Sequence, residues 1–217
     1  MKPLVLAICI PAHPQSYNQF WLSVQTVVAA LGKEKVRGYN SCTVFILQKV
    51  GSILPQLRYQ LVKEAIERGA THVLFVDSDQ TFPAQLVHCL ARHHKPVVAC
   101  NVAIKTLPSK PTARNKSETW WGGDVVYTLP ESKGLEQVWR IGCGVMLIDV
   151  SVFKDLPKPW FHLKYMEKND DFMGEDWYFC ELLEAAGIPI FIDHDASKRV
   201  GHIGPYVFGH EHVEITP

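Results

Sequence analysis

The chain has 217 residues, 47% of them hydrophobic, which is enough for one domain with a sizeable core. Its 22 basic and 22 acidic side chains cancel, which excludes the global field that gathers nucleic acid or holds a membrane surface, so any anionic partner has to be caught by local groups. No apolar stretch approaches the ~20 residues that cross a bilayer, and six cysteines without CxxC spacing fit the reduced thiols of a cytosolic protein without structural zinc.

The opening MKPLVLAICIPAHP has the lysine and apolar run of a secretory signal, but Pro11 cuts the run short and it reads better as a first buried strand over residues 4–10. A helix from about Tyr17 to Leu31 and a strand over 42–47 follow. A second helix from about Leu54 to Arg68 carries Leu57, Leu61, Val62 and Ala65 at helical spacing, with Gly69 where a left-handed cap belongs. HVLFV, 72–76, is apolar on both faces, as in a central parallel strand covered on both sides. A helix from Pro83 to about His93 and a strand over 96–100 complete an alternating series, which predicts a doubly wound α/β sheet with ligands beyond its carboxyl edge. Residues 102–123 lack periodicity and read as a long loop, of the length that is either functional or disordered. Strands are expected over 125–129, 136–141 and 144–150, then a helix over Glu175–Ala186 ending at Gly187 and a strand over 188–192.

Three chemical signals stand on this frame. Asp77 and Asp79 flank Ser78 directly after the 72–76 strand, so that in an extended chain both carboxylates project to one side. Such a pair is a poor metal site alone but suits magnesium or manganese that takes its remaining oxygens from water and a diphosphate. The bland alternative is a polar turn, with Asp79 capping the helix near Pro83. Glu175 and Asp176 open the last helix, where acids are stabilised by the helix dipole or supply a general base. His202 lies between glycines in VGHIG, where an imidazole is structural or completes a metal shell. Arg58 shares a helical face with Leu54, Leu61, Val62 and Ala65, so its charge is expected to point into a pocket or to sit in a structural ion pair.

The ordered set of RYQLVKEAIERGATHVLFVDSDQTFP, IGCGVMLIDVSVF, PWF, GEDWYFCELLEAAGIPIFID and GHIG resembles the glycosyltransferase A-fold (GT-A) superfamily, and more narrowly the small family-2-like glycosyltransferases of bacteriophages and prokaryotes. The resemblance covers residues 4 to about 204. It implies one GT-A domain over 1–217 on a mixed, mainly parallel sheet, with a nucleotide-binding half (1–101) and an acceptor-binding and catalytic half (102–217). It implies transfer of a sugar from a nucleotide-diphosphate donor, UDP-linked by preference, with Mn2+ or Mg2+ as cofactor. By that resemblance Pro11, Ala12 and His13 receive the nucleotide base, and Arg58, Asp77 and Ser78 contact the nucleotide. Gly142 and Gly144 allow close approach of the donor sugar, and Asp77, Asp79 and His202 hold the metal. Asp176 is the base toward the acceptor hydroxyl, and Glu175 binds the acceptor or shares that role. Inversion is implied by likeness to inverting members. The absence of a QxxRW element points to a single transfer rather than polymerisation.

The acceptor is expected at the 102–123 loop, where Lys105 and other basic residues lie close to Trp120 and Trp121; a saccharide or a modified DNA base suits such a surface. The bland alternative is a solvated loop with two tryptophans covering the sheet. His210 and His212 read as part of a tail rather than as ligands. A phosphatase of the haloacid-dehalogenase type, with Asp77 as nucleophile, is the rival enzyme class, although that motif sits on a first strand and two strand–helix units precede Asp77 here. A binding module that has lost its chemistry is the non-enzymatic rival. A nucleotidyltransferase ordinarily shows a glycine-rich loop after its first strand, and IPAHPQSYN has no glycine. The expected setting is the cytoplasm, of a bacterial host if the chain is phage-encoded.

Overall fold

The computed structural model describes residues 2–119 and 121–214. In chain order β1 (Lys2–Ala12), α1 (Asn18–Lys33), β2 (Tyr39–Val50), α2 (Leu54–Glu67) and β3 (His72–Val76) alternate, and β4 (Gln80–Thr81), α3 (Leu86–Ala91) and β5 (Val97–Ala99) follow. Short strands β6 (Arg114–Asn115) and β7 (Asp124–Val125) precede β8 (Leu135–Val138) and β9 (Val145–Asp149). The chain ends with β10 (Lys164–Met166), β11 (Asp171–Met173), α4 (Glu175–Ala185), β12 (Ile190–Asp193), α5 (His194–Ser197), β13 (Gly201–Ile203) and β14 (Val207–Phe208).

Seven strands form one sheet in the order β2-β1-β3-β9-β5-β12-β8. β1 runs parallel to β2 and β3, and β5 to β12, while β9 is antiparallel to β3 and β5, and β8 to β12. All strands except β8 and β9 therefore point one way, and the carboxyl ends of β1 and β3 open on one edge. Because side chains alternate along a strand, each strand supplies both faces. Ala7, Cys9, Val73 and Phe75 pack with Leu61 and Val62 of α2 and Phe179 and Leu183 of α4. Leu6, Ile8, Leu74 and Val76 pack with Phe20 and Val24 of α1 and Leu86 and Leu90 of α3. The all-apolar 72–76 segment is buried at every position, as its sequence predicts.

Gly69, at φ 77°, follows α2 in the left-handed region expected of it. Two expectations are corrected. The helix expected from Pro83 begins at Leu86, with Gln85 at its amino end, so Asp79 does not cap it. Of the strand expected over 125–129, only Val125 lies in a strand. Beyond it the buried Asn101 amide donates to Val126 O and Thr128 Oγ1, and its carbonyl accepts from Ala113 N–H, so side-chain bonds replace a ladder. The polar KYMEKNDDFM stretch, which carries no apolar alternation, forms the hairpin β10–β11. The 102–113 stretch is tied down: Ile104 N–H donates to Lys110 O, Ser109 N–H to His212 O, and Glu214 N–H to Ser109 O.

Candidate active site

The site is assembled by backbone pairing at the carboxyl edge of the sheet. β3 delivers Asp77, whose N–H donates to Gly144 O (2.9 Å) at the start of β9. The chain then turns, Gln80 N–H donating to Asp77 O (3.1 Å), and β4 pairs antiparallel with β13 so that Gln80 stands opposite His202. Ile203 N–H donates to Asp79 O (2.6 Å) and fixes the register. Residues more than a hundred positions apart thus meet because two short strands pair.

On one side of this edge Arg58, only 2% exposed, projects from α2 beneath β3. Its Nη2 donates to both oxygens of Asp77 (2.9 and 3.2 Å) and its Nε to Glu175 Oε1 (3.1 Å). Burial works against the arginine charge, but Asp77, Glu175 and Asp176 outweigh it and hold the group protonated. Burial raises the Asp77 carboxyl above its ordinary value, with Arg58 opposing. Asp176, at the head of α4, is pushed up to about 6, first by burial and then by the adjacent Glu175 charge, although Trp177 N–H donates to its Oδ1 (2.7 Å). A β-carbon built on Gly142 would lie 3.5 Å from Asp176 Oδ2 and 3.4 Å from Thr112, and one on Gly144 would lie 3.5 Å from Asp77 Oδ2 and 3.4 Å from Gln80 Nε2. The two glycines therefore leave the 142–144 backbone bare beside both carboxylates.

On the other side Asp79 Oδ2 lies 2.5 Å from Lys105 Nζ and 3.3 Å from His202 Nε2. Burial opposes the Asp79 charge, but His202 and Lys105 prevail and hold the carboxyl at about 2. His202 Nδ1 lies 3.0 Å from Ala103 O and must donate to it, so a neutral ring turns its Nε2 lone pair toward the carboxylate. Two acceptors facing each other require a proton or a cation, and a histidine oriented through its other nitrogen is the usual form of a metal-ligating imidazole. Asp79 and His202 therefore fit two positions of a Mn2+ or Mg2+ shell, with Lys105 as a competing cation. Among the described residues no group of three or more His, Cys, Asp or Glu forms a metal site, and Asp77 is taken up by Arg58 rather than joined to that pair.

The remaining expected residues fall as follows. Pro11 and Ala12 are buried at the end of β1 and His13 is exposed beyond it; Ser78 is buried in the turn. Trp121 packs edge-on to Trp177 at 5.8 Å, beside Asp176. Trp120 lies outside the described residues. Lys105 meets Asp79, and the 104–110 turn that carries it is tied to the C-terminal segment through Ser109. His210 Nε2 lies 2.6 Å from Asn101 O and ties the tail to the loop. Sequence reasoning missed Gln80 and Thr112, which stand beside Gly144 and Gly142; DSDQ displays Gln80, but a polar residue in a turn gives no sign of burial.

No family model matches the sequence, and no curated protein matches it. The structure is similar to that of A197 from STIV (17% identity, TM-score 0.57), covering 93% of this chain and 86% of that one. It is similar to GalNAc-T7 crystallised with UDP, GalNAc and Mn2+ (15%, TM-score 0.57) over 94% of this chain. It is also similar to the catalytic domain of Drosophila β1,4-galactosyltransferase 7 in complex with xylobiose (14%, TM-score 0.52), over 93% of this chain and 71% of that one. The fold is GT-A. The chain spans 44% of the GalNAc-T7 chain, which is therefore more than twice as long as the shared part. Among the described residues no helix is long and apolar enough to cross a membrane.

Proposed function

We propose that the protein is a metal-dependent glycosyltransferase that moves a sugar from a nucleotide-diphosphate sugar, UDP-linked by preference, to an acceptor hydroxyl in one inverting transfer. The observation that carries the reading is Asp176, held at about 6 beside the bare 142–144 backbone and across from the Arg58–Asp77 pair. A carboxylate at that value is ionised at neutral pH yet basic enough to take a proton from an attacking hydroxyl. The UDP, GalNAc and Mn2+ of the GalNAc-T7 crystal support the donor and metal classes.

In this reading Pro11, Ala12 and His13 border the base, and Asp77, oriented by Arg58, contacts the nucleotide. Asp79 and His202 would hold Mn2+ or Mg2+, which when bound neutralises a diphosphate leaving group. Lys105 adds its own charge on the same side. Arg58 holds Asp77 and Glu175 in place, its charge opposing the effect of burial on the Asp77 carboxyl, and Glu175 adjoins the acceptor. Asp176 receives the acceptor proton. A phosphatase reading needs Asp77 Oδ free to attack phosphorus, and both of its oxygens accept from Arg58.

The test is thermal unfolding with Mn2+ and a panel of UDP-, GDP- and dTDP-sugars. A donor at a hundred times its Kd adds about 2.7 kcal/mol to the native state and raises Tm by several degrees. Unchanged melting with every member refutes the proposal.

A further inference from the structure

Buried polar side chains are nearly always hydrogen-bonded, since an unpartnered one forfeits its hydration without return. Gln80 breaks this rule at the centre of the site. It is 1% exposed, its Oε1 is buried with no partner, and its side-chain amide makes no hydrogen bond to any described residue. The amide lies against the 142–144 backbone: a β-carbon on Gly144 would be 3.4 Å from Nε2, and Asp77 Oδ2 is 3.5 Å from the same point. Thr112 repeats the pattern at the other end of that segment. Its methyl and β-carbon lie 3.4 Å from the corresponding point on Gly142, beside Asp176 Oδ2, and its Oγ1 is buried without a partner among the described residues. Arg58 Nη1 is a third such atom, on the guanidinium whose other nitrogens hold Asp77 and Glu175. Beside this bare backbone the site thus buries an amide oxygen and a hydroxyl, and Arg58 adds a buried guanidinium N–H, none with a hydrogen-bond partner among the described residues.

We infer that Gln80 and Thr112 form the subsite for the transferred sugar, Gln80 beside Asp77 and Thr112 beside Asp176, each exchanging hydrogen bonds with pyranose hydroxyls. The inference rests on the glycosyltransferase reading and adds to it the residues that select the sugar. An amide donates and accepts at once, as vicinal hydroxyls do, and a threonine hydroxyl turns to either role. Neither group is charged, which suits a neutral ring. The charged groups nearby are already engaged with other partners, Arg58 with Asp77 and Glu175, and Asp79 with Lys105 and His202. A site built to bond a hydroxyl also rejects an epimer or deoxy sugar that leaves its buried groups unpaired.

The test uses Gln80→Met and Thr112→Val, which keep volume and remove the polar atoms. Calorimetry with Mn2+ measures UDP, GDP and dTDP against their glucose, galactose, mannose and N-acetylglucosamine conjugates where these exist. The wild-type protein is expected to bind one conjugate more tightly than its parent diphosphate. Each variant keeps the diphosphate affinity within about twofold and loses about tenfold in affinity for that conjugate. Without ligand, Gln80→Met melts at an equal or higher temperature, because an unpartnered amide is replaced by an apolar chain. Retained preference for the conjugate in both variants overturns the inference, as does a ligand-free Gln80→Met protein that melts well below wild type. Failure of the wild-type protein to bind any of the diphosphates overturns the glycosyltransferase reading and the inference with it, a result distinct from loss of the sugar's contribution alone.

Discussion

Asp176→Asn should make the protein more stable and inactive at once, with a pH dependence that identifies the cause. The carboxyl lies at about 6 in the folded chain against an ordinary 3.8, because burial and the Glu175 charge both penalise ionisation. A folded value above the unfolded one means that stability is greatest below about pH 4, falls as pH rises through about 6, and is level beyond. The full linkage for that displacement is about 3 kcal/mol. The partly open cleft and the charge shared with Glu175 reduce this, and we expect about 1–2 kcal/mol at pH 8, or roughly 2–8 °C in Tm for a chain of this size. Asparagine keeps the acceptor for Trp177 N–H, which is 2.7 Å from Oδ1, so the helix start survives. Urea unfolding at pH 8 and at pH 4 is the assay: the variant should be the more stable at pH 8 and equal at pH 4. With a donor and acceptor in hand, transfer should fall by about 10²–10⁴-fold with donor affinity kept. An Asp176→Asn protein no more stable than wild type at pH 8, or equally favoured at pH 4, refutes the reasoning.

Arg58→Met leaves Asp77 and Glu175 without their buried cation and should cost about 3–5 kcal/mol in urea unfolding, together with nucleotide affinity; a loss below 1 kcal/mol would make the pairs incidental. Lys105→Met removes one of the two groups that hold Asp79 at about 2. A depressed carboxyl contributes stability that is present above about pH 4 and lost as pH falls toward 2, so the variant should be less stable than wild type at neutral pH, with the difference shrinking as pH falls from about 4 toward 2. Urea unfolding at pH 7 and at the lowest pH that keeps both proteins folded reads the difference, and equal stability at pH 7 would contradict it.

The alternating frame was legible because burial on two faces leaves a plain mark: 72–76 is apolar throughout and buried throughout, and α2 shows its buried face at helical spacing. Arg58 stood out for the same reason, as a charge on an otherwise apolar helix face. The elements that stayed hidden are those held by side chains or by short-range geometry. Residues 126–128 are fixed by the Asn101 amide, and β10–β11 pairs through its backbone while its aromatic pair, Tyr165 and Phe172, faces outward. Lys105 looked like a solvated loop cation beside tryptophans, and nothing local shows that a C-terminal tail folds the loop back so that it meets Asp79. Gln80 was unreadable for a deeper reason, since its role lies in bonds that it does not make within the chain.

The site divides into two halves of opposite energetics. Around Asp79 the charges are mutually satisfied: Lys105 and His202 surround one carboxylate and lower its pKa, so this half stabilises the fold as it stands. Around the 142–144 backbone the reverse holds, for Asp176 is raised toward neutrality and Gln80 Oε1, Thr112 Oγ1 and Arg58 Nη1 lack partners among the described residues. A fold selected for stability alone would fill that second half with apolar side chains, as the rest of the sheet does with leucine, isoleucine and valine. Its polar, unsatisfied character is a cost that a polar guest relieves. Binding at the satisfied half must compete with Lys105 for Asp79, whereas binding at the unsatisfied half releases a penalty already present, so discrimination among ligands is concentrated beside Gly142 and Gly144.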